Sequence, residues 1–255
     1  MHKPLADILR PTNFNEVVGQ HHLLDKNTVF YQAINKGEIT NMIFYGPSGT
    51  GKTTIANIIA KQSNLSLYKL NGTTASLDDI KKIIDERKSL LNSNGVLLYL
   101  DEIQYLNKKQ QQSLLEFVEN GEITLIASTT ENPYFYIYPA LISRCTVFEF
   151  KALKVDDIIQ GLKRGVEYLN IEIDSDALTY LATACNGDMR KALNNLEFLE
   201  KGLPLGRNNI TISDVQQLIN KAHIAYDRSE DKHFDTLSAF MKSLRGVIQT
   251  LQYFI

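Results

Sequence analysis

The chain has 255 residues, 44% of them apolar, and sets 27 Lys and Arg against 29 Asp and Glu for a net charge of −2. That balance excludes a surface that is basic overall and leaves room only for a local basic path towards nucleic acid. The length suits one large domain with a smaller one beside it, since a domain usually holds about 100–200 residues, and no run of about 18 apolar residues offers a membrane span.

Met1 to Arg10 has no apolar signal core followed by a small-residue cleavage site. Cys145 and Cys185 form no CxxC pair and read as reduced, buried thiols, so a cytoplasmic protein is expected. Up to about residue 150, short apolar runs alternate with helical stripes. Met42–Tyr45, Val96–Leu100, Ile123–Ala127 and Val147–Phe150 are continuous apolar runs, as suits strands buried on both faces of a parallel sheet. Between them, Ile55, Ile58 and Ile59 form one stripe. Ile80, Ile83 and Ile84 form another behind the cap-like Ser76-x-x-Asp79, and Leu114, Leu115, Phe117 and Val118 form a third. This alternation predicts an α/β domain with its site at the C-terminal ends of the strands.

After Lys151 the pattern predicts helices only. Ile158, Ile159 and Leu162 line the first. Leu178, Leu181 and Ala182 line the second, with Ser175 as N-cap and Gly187 just past its end. Asp188 caps a third that carries Ala192, Leu193, Leu196 and Leu199. Gly202–Asn209 is a turn-rich connection, and Ser213–Gln216 is a capping box opening a fourth helix. From Ala222 onward the chain is polar and mixed. The expected division is 1–150, 151–222 and 223–255.

Gly46-Pro47-Ser48-Gly49-Thr50-Gly51-Lys52-Thr53 fits G-x-x-x-x-G-K-[ST], between a predicted strand and a predicted helix. Glycines let the backbone aim successive N–H groups at phosphate oxygens, and the helix N-terminus adds partial positive charge. Lys52 is expected to reach the β- and γ-phosphates of ATP and Thr53 to bind Mg²⁺. The strand Val96–Leu100 runs into Asp101-Glu102. Asp101 at its tip suits the Mg²⁺ hydration shell, and Glu102 suits orienting an attacking water. The adjacent His21 and His22 read as structural or surface residues. Tyr134, Phe135, Tyr136 and Tyr138, between Pro133 and Pro139, are expected to pack between sheet and lid, with stacking on nucleic-acid bases as the alternative.

These residues resemble an AAA+ ATPase: a P-loop parallel-sheet core with a smaller all-helical lid. After the third apolar run, Thr129-Thr130-Glu131-Asn132-Pro133 resembles the sensor 1 region, which implies Thr130 at the γ-phosphate. Ser143-Arg144-Cys145 resembles the SRC motif of clamp-loader-like members, which implies Arg144 as an arginine finger for a neighbouring subunit. Gly187-Asp188-Met189-Arg190 resembles sensor 2, which implies Arg190 on the bound nucleotide. Arg10-Pro11 with Val17-Val18-Gly19-Gln20 resembles the adenine-side segment, which implies that Val17 and Val18 bracket the base.

Within that clade the chain resembles the replication-associated recombination protein A family. The resemblance rests on Val18-Gly19-Gln20-His21-His22-Leu23-Leu24, on Thr129–Pro133 and on Tyr226-Asp227 through His233-Phe234-Asp235 to Ser243-Leu244-Arg245-Gly246. It implies a DNA-dependent ATPase at stalled forks, gaps and ends, working as a homo-oligomer near single-stranded-DNA-binding protein and the replisome. Family members continue into a helical assembly domain, whereas Gly246–Ile255 departs from the family pattern, so a truncated or excised form is expected. The competing readings are a clamp-loader subunit or branch-migration motor, and an ATP-binding interaction module without turnover.

Overall fold

The computed structural model of the chain describes residues 3–63, 65–89 and 95–219. The polar region after Ala222 and the family-like stretch Tyr226–Gly246 lie outside the described residues. Three short helices come first, α1 (Leu5–Ile8), α2 (His21–Leu24) and α3 (Val29–Asn35). The sheet then alternates with helices: β1 (Met42–Tyr45), α4 (Lys52–Gln62), β2 (Ser66–Asn71), α5 (Leu77–Ser89), β3 (Val96–Asp101), α6 (Lys108–Glu119) and β4 (Thr124–Thr129). Two single-turn helices, α7 (Pro133–Tyr136) and α8 (Pro139–Ile142), lead to β5 (Thr146–Glu149).

The five strands are parallel, in the order β2-β3-β4-β1-β5. β1 therefore lies between β4 and β5, with Tyr45 level with both Thr129 and Glu149. Alternation along each strand feeds two cores. Phe44, Leu97, Tyr99 and Ile126 pack under Ile55, Ile58 and Ile59 of α4. Ile43, Leu98, Leu100 and Leu125 pack under Ile80 and Ile84 of α5 and Leu114 and Val118 of α6. Helices on both faces explain why these strands are apolar throughout rather than on one side.

Beyond β5 the chain forms α9 (Val155–Leu169), β6 (Glu172–Ile173), α10 (Ser175–Ala184), α11 (Met189–Gly202) and β7 (Asn209–Ile210), then a helical stretch over 212–219. Ile158, Leu162, Leu178, Leu181, Leu193 and Leu196 form a separate core, and Leu5 of α1 packs into it although it precedes the sheet in sequence.

Five expectations are corrected. A fifth strand, β2, was not expected: it has no continuous apolar run because it is an edge strand, with Ser66, Lys69 and Asn71 exposed. The region after Lys151 is not purely helical, since β6 and β7 form a short parallel pair. Ser175 is the first helical residue of α10, whose N-cap is Asp174. The last cap is Thr211 rather than Ser213, its N–H donating to Asp214 Oδ2 at 2.8 Å while its carbonyl accepts from Val215. Tyr134, Phe135 and Tyr136 are not packed between sheet and lid: they are 63%, 82% and 52% exposed. A one-turn helix opened by Asn132 and Pro133 turns them outward. The cap at Ser76-Asp79 is present as expected, with reciprocal bonds of 2.9 and 3.2 Å.

Candidate functional site

The loop between β1 and α4 takes its shape from close approaches. Gly46 has φ +138°, and a Cβ there would lie 2.0 Å from the Phe150 carbonyl oxygen; Gly49 has φ +65°, and a Cβ there would lie 1.8 Å from Asp188 Oδ1. Neither position tolerates a side chain, so the loop runs tight against β5 on one side and the N-terminus of α11 on the other. α4 begins at Lys52 with no side chain capping its first turn. Its leading N–H groups are thus unclaimed by any cap, which suits an anion.

Lys52 is buried, and its Nζ donates to the carbonyls of Gly46 and Pro47 at 2.6 and 2.8 Å. Burial lowers the pKa of its ammonium, while the negative charges of Glu102 and Asp101 oppose that shift. An anion among these donors would favour the charged lysine further.

The acid pair arrives from the end of β3, separated from β1 by β4. Asp101 ends β3, and Glu102 follows in a left-handed turn at φ +54°. Glu102 Oε2 accepts from Gln104 Nε2 at 2.5 Å and from Thr130 Oγ1 at 3.5 Å. Asp101 Oδ1 accepts from Ser128 Oγ at 2.5 Å. The Tyr99 hydroxyl lies 2.9 Å from Thr53 Oγ1, 2.8 Å from Ser128 Oγ and 3.3 Å from Asp101 Oδ1. Burial, and then the charge of Asp101, push the Tyr99 phenol well above its ordinary pKa, so it stays a hydroxyl. Thr53 and Asp101 thus bring two oxygens to one shared neighbour. A hydroxyl and a carboxylate together are hard oxygen donors of the kind magnesium takes.

The helical side completes the cleft. Met189 N–H donates to the Gly49 carbonyl at 3.2 Å, and Ser48 Oγ donates to Asp188 Oδ2 at 2.8 Å. Gln20 sits in a left-handed conformation at φ +52°. Its amide donates to the carbonyls of Thr50 and Lys151 at 3.2 and 2.7 Å and accepts from Lys151 N–H at 3.1 Å. Arg164 of α9 donates to the Glu16 carbonyl, just before Val17 and Val18.

Together these parts line one open cleft of about 150 Å³. Of the residues expected from sequence, Val17, Val18, Ser48, Gly49, Thr50, Gly51, Lys52, Thr53, Asp101, Glu102, Thr130 and Arg190 line it. Leu9, Met189 and Leu193 make its apolar end. Gly46 and Pro47 are not part of the lining, and their carbonyls hold Lys52 instead. Arg144 is elsewhere: half-exposed, it pairs with Glu119 at 3.0 Å. Sequence reasoning missed Tyr99, Ser128, Gln104 and Arg164 as parts of the site. The only signal for the first two was a hydroxyl within a largely buried strand. His21 and Asp25 are exposed neighbours 3.7 Å apart, and among the described residues no cluster of His, Cys, Asp and Glu suits a metal.

Two family models match the chain: the ATPase family associated with various cellular activities (AAA) over residues 42–153, and the AAA C-terminal domain over residues 167–245. Replication-associated recombination protein A of Bacillus subtilis is 37% identical over 96% of this chain and 60% of its own length. The Escherichia coli K12 protein of that name is 33% identical over 96% of this chain and 57% of its own length. The chain thus spans somewhat more than half of these relatives. Among solved structures, the Thermotoga maritima RuvB Holliday junction branch migration motor matches 83% of this chain and 72% of its own, with TM-score 0.70 and 25% identity.

Proposed function

We propose that the chain, an AAA ATPase similar to replication-associated recombination protein A over the span it shares with it, binds ATP with magnesium and hydrolyses it in DNA replication and recombination. The observation that supports this best is convergence. Four separate elements bring residues 48–53, Asp101-Glu102, Thr130 and Arg190 to one cleft.

In this reading the uncapped amides of α4 and the Lys52 ammonium hold the phosphates. Thr53 and Asp101 hold magnesium, which when bound neutralises phosphate charge. Glu102 orients the attacking water and draws on its proton. Thr130 stands beside Glu102 as the polar contact to the γ-phosphate. Arg190 reports the nucleotide to the helices after β5, and the backbone at Val17 and Val18 brackets the adenine above Leu9, Met189 and Leu193. Arg144, standing away from its own cleft, serves the nucleotide of a neighbouring copy, so the active form is a homo-oligomer. The nucleotide-binding core and the helical lid divide near Lys151. DNA with single-stranded, gapped or forked character is the proposed effector, single-stranded-DNA-binding protein and the replisome the proposed partners, and the nucleoid the proposed setting.

The test is ATP turnover with and without DNA across a range of protein concentration. Turnover that rises with DNA, and falls at least about a hundredfold in Lys52→Ala and Glu102→Gln, supports the proposal. Equal turnover in both variants and the parent would sink it. Nucleotide uptake with no turnover at any concentration would mark an interaction module instead. The RuvB likeness favours one second reading, a branch-migration motor, which predicts stimulation by four-way junctions above forks and gaps.

A further inference from the structure

The buried hydroxyls behind the acid pair form a connected set whose protons can be assigned. A carboxylate only accepts, so the contact between Ser128 Oγ and Asp101 Oδ1 at 2.5 Å uses the serine proton. Ser128 then has no proton left for Tyr99, and the 2.8 Å contact between them must use the phenol proton. That proton also leans towards Asp101 Oδ1 at 3.3 Å. Tyr99 in turn has none left for Thr53, so the 2.9 Å contact there uses the threonine proton. The order is fixed: Thr53 donates to Tyr99, Tyr99 to Ser128, and Ser128 to Asp101. Tyr99 is 2% exposed and Ser128 not at all, so no water substitutes for either partner.

We propose that Tyr99 and Ser128 are positioning residues that orient the magnesium ligands of this site, a role resting on the nucleotide-site reading above. A threonine oxygen offers its lone pairs to a cation only when its proton points elsewhere, and Tyr99 supplies that elsewhere. Ser128 does the complementary task at the far end, committing Oδ1 of Asp101 and fixing the carboxylate plane. Neither residue lines the cleft itself. Loss of such an outer partner of a metal ligand commonly costs about 10–100-fold in metal affinity.

The test uses the full chain, fluorescently labelled ADP, and Mn²⁺ as a paramagnetic stand-in for magnesium. ADP affinity is measured by fluorescence with Mn²⁺ and in EDTA, and Mn²⁺ uptake by loss of the free-ion resonance signal. In Tyr99→Phe, which keeps the ring, the ratio of the two ADP affinities is expected to fall about tenfold. Mn²⁺ uptake by the ADP complex should weaken in step. Ser128→Ala should give a similar fall, and the double variant no more than the deeper single, because one chain is cut twice. A ratio within twofold of the parent in both single variants overturns the proposal, even if both affinities drop together, since that is damage to folding alone. Additive losses also overturn it, because they mean two unconnected contacts. If the unaltered chain takes up no ADP under either condition, the nucleotide reading itself fails first.

Discussion

At the scale of single residues, two glycines separate backbone strain from collision. Gly121 has φ +67° with nothing within 4 Å of a built Cβ, whereas Gly49 has φ +65° with Asp188 Oδ1 at 1.8 Å. Gly121→Ala should cost about 1–2 kcal/mol, the price of a left-handed residue. Gly49→Ala should cost roughly 1–3 kcal/mol more, because it also drives Asp188 off the loop. Urea midpoints of the two variants measure the difference, and equal midpoints would mean that the loop and α11 part without penalty. Burial pushes the Cys145 thiol up to about 12 and raises that of Cys185 too, so little thiolate exists near neutral pH. Neither thiol should be alkylated by iodoacetamide at about pH 8 until denaturant is added, as read by mass. Most of the residues that line the cleft were legible at this scale because a phosphate-loop motif asks for particular residue types at fixed spacing. Tyr99 and Ser128 were not legible, because a buried hydroxyl reads as an ordinary core side chain until its partners are seen. The outward-facing Phe135 escaped for the opposite reason, since an aromatic run reads as core.

Elements hold their places by caps and stripes. α6 opens with a reciprocal box in which Gln110 N–H donates to Asn107 Oδ1 and Asn107 N–H donates to Gln110 Oε1, both at 2.9 Å. Asn107→Ala should cost about 1 kcal/mol, measured by chemical denaturation. In α5 the Ser76 hydroxyl, bonded to Asp79, holds that carboxyl below its ordinary pKa. The folded pKa is therefore the lower one. The cap contributes fully above the unfolded value near 3.8 and is lost as pH falls through the folded value. Acid titration of Asp79→Asn should lack that component. On α4, Ile59 is fully buried under the sheet, and Ile59→Ala should cost about 2–5 kcal/mol. The continuous apolar runs at β1, β3 and β4 were readable because both faces of each strand are covered. β2 was not, since an edge strand half open to water carries a mixed sequence. Ser175 was mistaken for a cap because Asp174, one residue earlier, is as good a candidate on composition alone.

At the scale of the whole molecule, Arg144 offers a test between solitary and shared catalysis. Its pair with Glu119 is exposed on both sides, and such pairs contribute about 0–1 kcal/mol. Arg144→Ala should therefore leave the denaturation midpoint nearly unchanged while removing most turnover. Mixing it with Lys52→Ala should restore part of the rate at high concentration, and no recovery would count against a finger that works across copies. The sheet carries a further implication. Leu100 is level with Ala127, and Tyr45 with Thr129 and Glu149. Lysine loop, acid pair and polar threonine therefore emerge at a common height because their ladders are in step. A slip of one residue would shift a strand tip by about 3.3 Å and turn its side chains over. Alignment of the reacting groups is thus inherited from backbone pairing deep in the protein, and substitutions in mid-strand, remote from any ligand, should slow chemistry while sparing nucleotide uptake.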